Sequence, residues 1–255
     1  MASVPFATGA DRGEARFFFT MACLMAATIV AGFSFNLATG RSSFDMPWLV
    51  HFHAWVMMGW VGLYVVQNSL IFAGNVALHR RLGWLSVAWL PAILVMGLLI
   101  TRLSLQTAGG PFFFDQNEFL ISNPLMLALS VGLAGWAVAV RANTGWHRRL
   151  MFCSFAILTG PGIGRLAPNP LLIPYAWWIG AVGLPLLFPL IGMLADKRRY
   201  GAVHPAWFCG VGGVIAVQAV ADLIAYSSWG YRFTEWFLAG TPGAERSMAA
   251  FLPPM

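Results

Sequence analysis

Leu78-His79-Arg80-Arg81-Leu82-Gly83-Trp84 returns 68 residues later (79 to 147) as Trp146-His147-Arg148-Arg149-Leu150-Met151-Phe152. Each copy places a histidine, two arginines and a leucine at the head of an apolar run. A looser third copy, Lys197-Arg198-Arg199-Tyr200-Gly201-Ala202-Val203-His204-Pro205, puts the basic cluster before the histidine and is again followed by apolar sequence. A basic turn recurring between apolar runs is the pattern of a repeated membrane hairpin, whose arginines stay at one water interface.

Composition agrees. Of 255 residues, 59% are hydrophobic and 9% charged, and the mean hydropathy is +0.71. A soluble globule carries about 25% charged residues, so the chain reads as an all-α polytopic membrane protein, one integral membrane domain over residues 1–255. The net charge of +6 does not point to nucleic acid, because the basic residues follow the loops. Arg12, Arg16, Arg80, Arg81, Arg141, Arg148, Arg149, Lys197, Arg198 and Arg199 fall on one side, against Arg41, Arg102, Arg165, Arg232 and Arg246 on the other. That asymmetry predicts a bacterial inner-membrane protein with a cytoplasmic N-terminus. Seven spans, near 17–35, 48–73, 82–101, 124–140, 150–164, 170–194 and 205–227, then put the C-terminus in the periplasm. The first, headed by Arg12 and Arg16, is longer than a signal-peptide core and reads as an uncleaved span.

Punctuation extends the repeat. Asp45-Met46-Pro47, Asn123-Pro124 and Asn169-Pro170 each place an Asx before a proline near a span start, as a capping residue and a first-turn proline would. Spans two-three, four-five and six-seven then read as related hairpins, with span one added. Pro91 predicts a kink in span three, and Pro174, Pro185 and Pro189 make span six the most bent. Ser104 to Ile121, with its Phe112-Phe113-Phe114 run, is expected to lie in the outer interface, phenylalanines down and acids up. The C-terminal thirty residues, ending in Pro253-Pro254, are expected to form a short interfacial helix and tail. Cys23, Cys153 and Cys209 sit singly in apolar runs and read as packing residues.

Two constellations carry chemical potential. The inner one is His79, His147 and His204, at similar depth on three helices. With His53 they are candidate metal or haem ligands. The neighbouring arginines oppose a bound cation, which favours the histidines as interfacial anchors, and Arg80, Arg81, Arg148, Arg149, Lys197, Arg198 and Arg199 read as contacts to lipid headgroups. The outer constellation is His53, Arg102, Arg165, Gln218, Asp222 and Tyr226. Two residues along a helix turn about 200°, so His51 and His53 cannot share one ion. His53 leads a face of Met57, Trp60, Tyr64 and Gln67, and His51 a lipid or packing face of Trp55, Met58 and Gly62. Gln218, Asp222 and Tyr226 share one face at intervals of four. Arg165 follows His147 by 18 residues (147 to 165) and Asp222 follows His204 by 18 (204 to 222), which predicts an Arg165–Asp222 pair at equal depth.

The helix heads His79-Arg80-Arg81-Leu82-Gly83 and His147-Arg148-Arg149-Leu150-Met151, with the His53-bearing second span, resemble those of a family of uncharacterised bacterial inner-membrane proteins. The resemblance runs from His51 to His204 and implies the multi-spanning fold without an activity. A fainter similarity to b561-type cytochromes implies haem b between histidines on facing helices, from which this histidine pattern departs.

Five histidines are too few for the clustered boxes of membrane di-iron enzymes, Lys197 is the single lysine and lies outside the spans, and no nucleophile elbow or phosphate loop occurs. The chain reads as non-enzymatic. Its 12 tryptophans and 20 phenylalanines suit contacts with lipid, pigment, quinone or neighbouring subunits. The first expectation is therefore an accessory subunit of a larger inner-membrane complex, whose partners are membrane lipid and other membrane proteins. A redox protein holding haem b or a metal, and a small-molecule or proton transporter using the outer pocket, are the alternatives.

Overall fold

A computed structural model describes residues 11–252; the Pro253-Pro254 tail and the first ten residues lie outside the described residues. Among the described residues all regular structure is helical. Six helices are long and apolar enough to cross a membrane: α1 (Arg12–Ala38), α2 (Trp48–Phe72), α3 (Val76–Ala108), α4 (Gln116–Ala139), the segment Trp177–Tyr200, and α8 (Pro205–Ala225). Between α4 and that segment lie α5 (Thr144–Ile157) and α6 (Gly160–Leu166), of 14 and 7 residues, each too short to span about 30 Å of hydrocarbon at 1.5 Å per residue.

Proline explains this break. Pro161 has no N–H to give the Ile157 carbonyl, and its ring disfavours helix at Gly160; α5 ends at Ile157 and α6 restarts at Gly160. The next segment opens as a π-helix, Trp177–Gly183, before continuing as α7 (Leu184–Tyr200). Pro185 withholds the N–H that an α-turn would give Ala181, and the Leu184 N–H bonds five residues back to Ile179.

Several expected starts move. Pro124 lies inside α4, which begins at Gln116, and Asn123 donates to Thr101 Oγ1 on α3 at 2.7 Å in place of capping. Asn169-Pro170 opens only a four-residue 3-10 turn, and Asp45 makes no cap to α2, whose N-cap is Pro47. The Asx-proline repeat is thus not a shared helix start. A different residue is shared: Asn75 caps α3 by accepting from Leu78 N, and Asn143 caps α5 by accepting from Trp146 N, each four residues before its histidine.

The Ser104–Ile121 stretch is not a separate surface segment with its phenylalanines on one side and its acids on the other. α3 runs on to Ala108, Gly109 turns in the left-handed region at φ 70, and Phe114 is buried edge-on against Trp177, ring centroids 5.0 Å apart. Gln116, Asn117 and Glu118 turn inward with it. The C-terminal residues do form a short helix, α9 (Ser228–Leu238), and Arg246 returns the chain to the α3–α4 turn by donating to the carbonyls of Gly109, Pro111 and Phe114.

α4 packs against α3, α5 and α8, and α1 lies between α2 and α6. α1 and α6 touch backbone to backbone: a Cβ on Gly32 would stand 2.1 Å from the Gly162 carbonyl oxygen. On α2 the Trp60, Tyr64 and Gln67 face is buried and the Trp55 face exposed, as the His53 register implies.

Candidate functional site

At one end of the bundle the second His-Arg-Arg copy folds inward. Arg149 is fully buried. Its Nε and Nη2 donate to the two Asp196 oxygens of α7 at 2.8 and 2.6 Å, Nη2 also to Glu14 Oε1 of α1 at 3.0 Å, and Nη1 to the Gly145 carbonyl at 3.1 Å. Arg148 pairs with Glu14 Oε2 at 2.7 Å. Asp196 Oδ2 further accepts from Trp207 Nε1 at 2.8 Å and from the His204 backbone N–H at 3.2 Å. Two guanidinium groups and two carboxylates therefore join α1, α5, α7 and α8 with their formal charges balanced, and the bidentate geometry suits arginine rather than lysine.

This corrects the headgroup reading of Arg148 and Arg149. The first copy's Arg80 and Arg81 stay exposed, with no ion pair among the described residues. The three inner histidines do not converge. His79 and His147 stand edge to face with centroids 6.2 Å apart, and His147 Nδ1 donates to the Ala137 carbonyl at 2.8 Å. His204 is on the other side of α5, against Trp146 at 5.5 Å, where its Nδ1 caps α8 by accepting from Ala206 N at 3.1 Å. Among the described residues no group of three or more His, Cys, Asp or Glu could hold a metal.

Burial, followed by the Arg149 charge, pushes the His204 imidazole down to about 4; a proton there would also remove the capping lone pair.

The outer constellation divides into three places. Arg102 bonds Gln106 on the exposed side of α3 at 2.9 Å. His53 faces the Met96 backbone on α3, with Arg165 nearby. Arg165 does not pair with Asp222: its guanidinium lies 3.9 Å from the centroid of the Phe33 ring and donates to the Pro161 carbonyl at 2.7 Å. The equal-depth argument assumed a continuous helix between His147 and Arg165, and the turn at Leu158-Thr159 breaks it.

The third place is a site. Gln218 is fully buried; its Oε1 accepts from Trp177 Nε1 at 2.8 Å, and its Nε2 donates to Ser122 Oγ at 3.0 Å and to Asp222 Oδ1 at 2.6 Å. Asp222 Oδ2 takes a second bond from Trp178 Nε1 at 2.8 Å. Tyr226 donates to Asp115 Oδ2 at 2.9 Å, and Ala250 N to Asp115 Oδ1 at 2.7 Å. Burial, then the Glu118 and Asp115 charges, raise the Tyr226 phenol, which keeps it a donor.

Glu118 completes the group. It is 5% exposed, stands near both Asp115 and Asp222, and its carboxyl has no hydrogen-bond or ion-pair partner among the described residues. Arg246 acts on Asp115 and donates to three backbone carbonyls. Sequence reasoning found Gln218, Asp222 and Tyr226 and missed Asp115, Glu118, Ser122, Trp177 and Trp178. With nine acidic residues in the whole chain, an acid at the edge of an apolar run was the available signal, and it would also have found Glu14 and Asp196.

Comparison with protein-family models, curated proteins and solved structures gave no match to this chain.

Two expectations follow. Arg149→Met strands Asp196 and Asp196→Leu strands Arg149, and breaking a buried pair costs about 3–5 kcal/mol. The double variant should lose much less than the sum of the two, measured by unfolding in detergent. For His204, a base whose folded value is depressed, stability is fully present above about pH 6.5, where the unfolded histidine is also neutral, and drains away as pH falls toward about 4. His204→Asn keeps an N-cap acceptor and removes the proton site, so its melting temperature should vary less between pH 7 and pH 4.5 than that of the parent chain.

Proposed function

We propose that this chain is a bacterial inner-membrane protein that crosses the membrane seven times and takes a proton onto Glu118, beside Asp115 and Asp222, from the periplasmic side, as the binding step of transport. α5 and α6, broken only at Leu158-Thr159, act together as the seventh span. The basic excess at the Arg149 end supports a cytoplasmic N-terminus and a periplasmic C-terminus.

One observation carries the reading: Glu118, 5% exposed beside two other carboxylates, has no hydrogen-bond or ion-pair partner among the described residues. A bare carboxylate in such a place is costly, and a proton or a cation relieves the cost. The hydrogen bonds already made to Asp115 and Asp222 come from neutral donors, which hold those groups in place without cancelling their charge. Interrupted helices at the same site support the reading, because transporter sites are commonly built at discontinuous helices; Trp177, which holds Gln218, is the first residue of the π-segment. The resemblance to the His-Arg-Arg-Leu inner-membrane family is compatible with this and adds no activity.

A second reading, a subunit of a larger inner-membrane assembly, is supported by the exposed aromatic row of Trp48, Phe52 and Trp55 on α2. Native mass measurement in mild detergent separates the two, since a stoichiometric co-purifying protein favours the subunit.

The transport reading is tested with a hydrophobic carbodiimide, which modifies protonated carboxyls in apolar surroundings. Glu118 should be the labelled residue by peptide mass spectrometry, and labelling should fall as pH is raised. In proteoliposomes carrying an entrapped pH dye, Glu118→Gln and Asp222→Asn should abolish proton flux while Glu118→Asp retains part of it. Full flux in Glu118→Gln would remove the proposal.

A further inference from the structure

At the Arg149 end of the bundle a cleft of about 280 Å³ opens between α1 and α7, lined chiefly by Glu14, Phe17, Phe18, Asp196, Arg198 and Arg199. We infer that this cleft binds the phosphate of an anionic phospholipid, held by Arg198 and Arg199 with an acyl chain along Phe17 and Phe18.

The charges of the cleft decide the sign of its ligand. Glu14 and Asp196 form its floor, but both are engaged by Arg148 and Arg149, so the floor contributes no net charge. Arg199 reaches Asp11 only at 3.4 Å, with 31% of its own side chain and 63% of the aspartate's exposed. Arg198 is exposed and makes no hydrogen bond or ion pair among the described residues. Neither arginine is needed at the end of α7, because Lys197 Nζ already bonds the Gly201 carbonyl there at 2.7 Å. Two guanidinium groups therefore remain at the rim with one weak carboxylate contact between them, and their planar donor forks match phosphate oxygens.

The walls decide the source of the phosphate. Phe17, half-buried, and Phe18, nearly buried, line the cleft beside the cationic rim. That juxtaposition matches a molecule carrying phosphate and hydrocarbon together, whereas a free phosphate ion would use the arginines alone. Basic residues at a membrane surface favour anionic lipid by about 1 kcal/mol each, so two of them correspond to a preference of roughly tenfold or more over a zwitterionic lipid.

The purified full chain in detergent is titrated with phosphatidylglycerol, phosphatidylethanolamine and inorganic phosphate, and bound lipid is read by native mass spectrometry. Phosphatidylglycerol should be retained about tenfold more than phosphatidylethanolamine, Arg198→Gln with Arg199→Gln should remove that preference, and Lys197→Gln should keep it. Equal retention of the two lipids, or a preference that survives the double arginine variant, would overturn the inference. Displacement of phosphatidylglycerol by millimolar inorganic phosphate would overturn the lipid as the source and leave a free anion. Both variants alter exposed side chains outside the Arg149 network, and an unchanged melting temperature in the same samples excludes misfolding as the cause of lost lipid. Glu118 lies at the opposite end of α4 from this cleft, so the result is independent of the transport reading.

Discussion

A guanidinium with no exposure to solvent must find its counter-charges inside the protein, and Arg149 finds them on two other helices. The requirement fixes α5 against α1 through Glu14 and against α7 through Asp196, while Asp196 reaches on to α8 through Trp207 and His204. Leu150, Phe152 and Trp207 pack fully buried just beneath. Each member of the network satisfies another's desolvation, so the group tolerates burial as a set where any one charge alone would not. In a chain with so few charged residues, the polar geometry of this end rests on it.

The two ends of the bundle handle charge in opposite ways. Inside the Arg149 end two arginines meet two carboxylates and their charges cancel, and the unmatched arginines stay at its exposed rim. At the other end Asp222 bonds Gln218, Asp115 bonds Tyr226 and Glu118 feels the charge of both acids, while Arg165 is turned away onto Phe33 and Arg246 is occupied by backbone carbonyls. Balance describes a joint between helices. Imbalance, with Glu118 unpartnered among the described residues, is the feature on which the proton-binding proposal rests.

The helical membrane class was legible because apolar runs of membrane-crossing length are a one-dimensional property. The face of α2 carrying Trp60, Tyr64 and Gln67 was legible for the same reason, since a continuous helix converts spacing into direction. The Arg165–Asp222 pairing failed because it carried that conversion across Pro161, where the helix stops. Arg81 and Arg149 occupy equivalent positions of the two copies and opposite surroundings; which arginine is buried depends on Glu14 and Asp196, 135 and 47 residues from Arg149, and no local pattern holds that information. Glu118 was misplaced by treating its phenylalanine-rich neighbourhood as membrane surface, when Phe114 had already found Trp177.

The spread of the Arg149 network along the chain also bears on how the protein is made. Its side chains run from Glu14 near the start to Trp207 near the end, so it cannot be complete until most of the polypeptide has left the ribosome. α1 enters the bilayer with Glu14 at its edge and without its partners, and α5 brings Arg149 before Asp196 exists. Until α7 and α8 follow, that end of the bundle stays open to water, where lone charges are cheap. Closure of the network then waits for α7 and α8, which follow α1 by more than 140 residues.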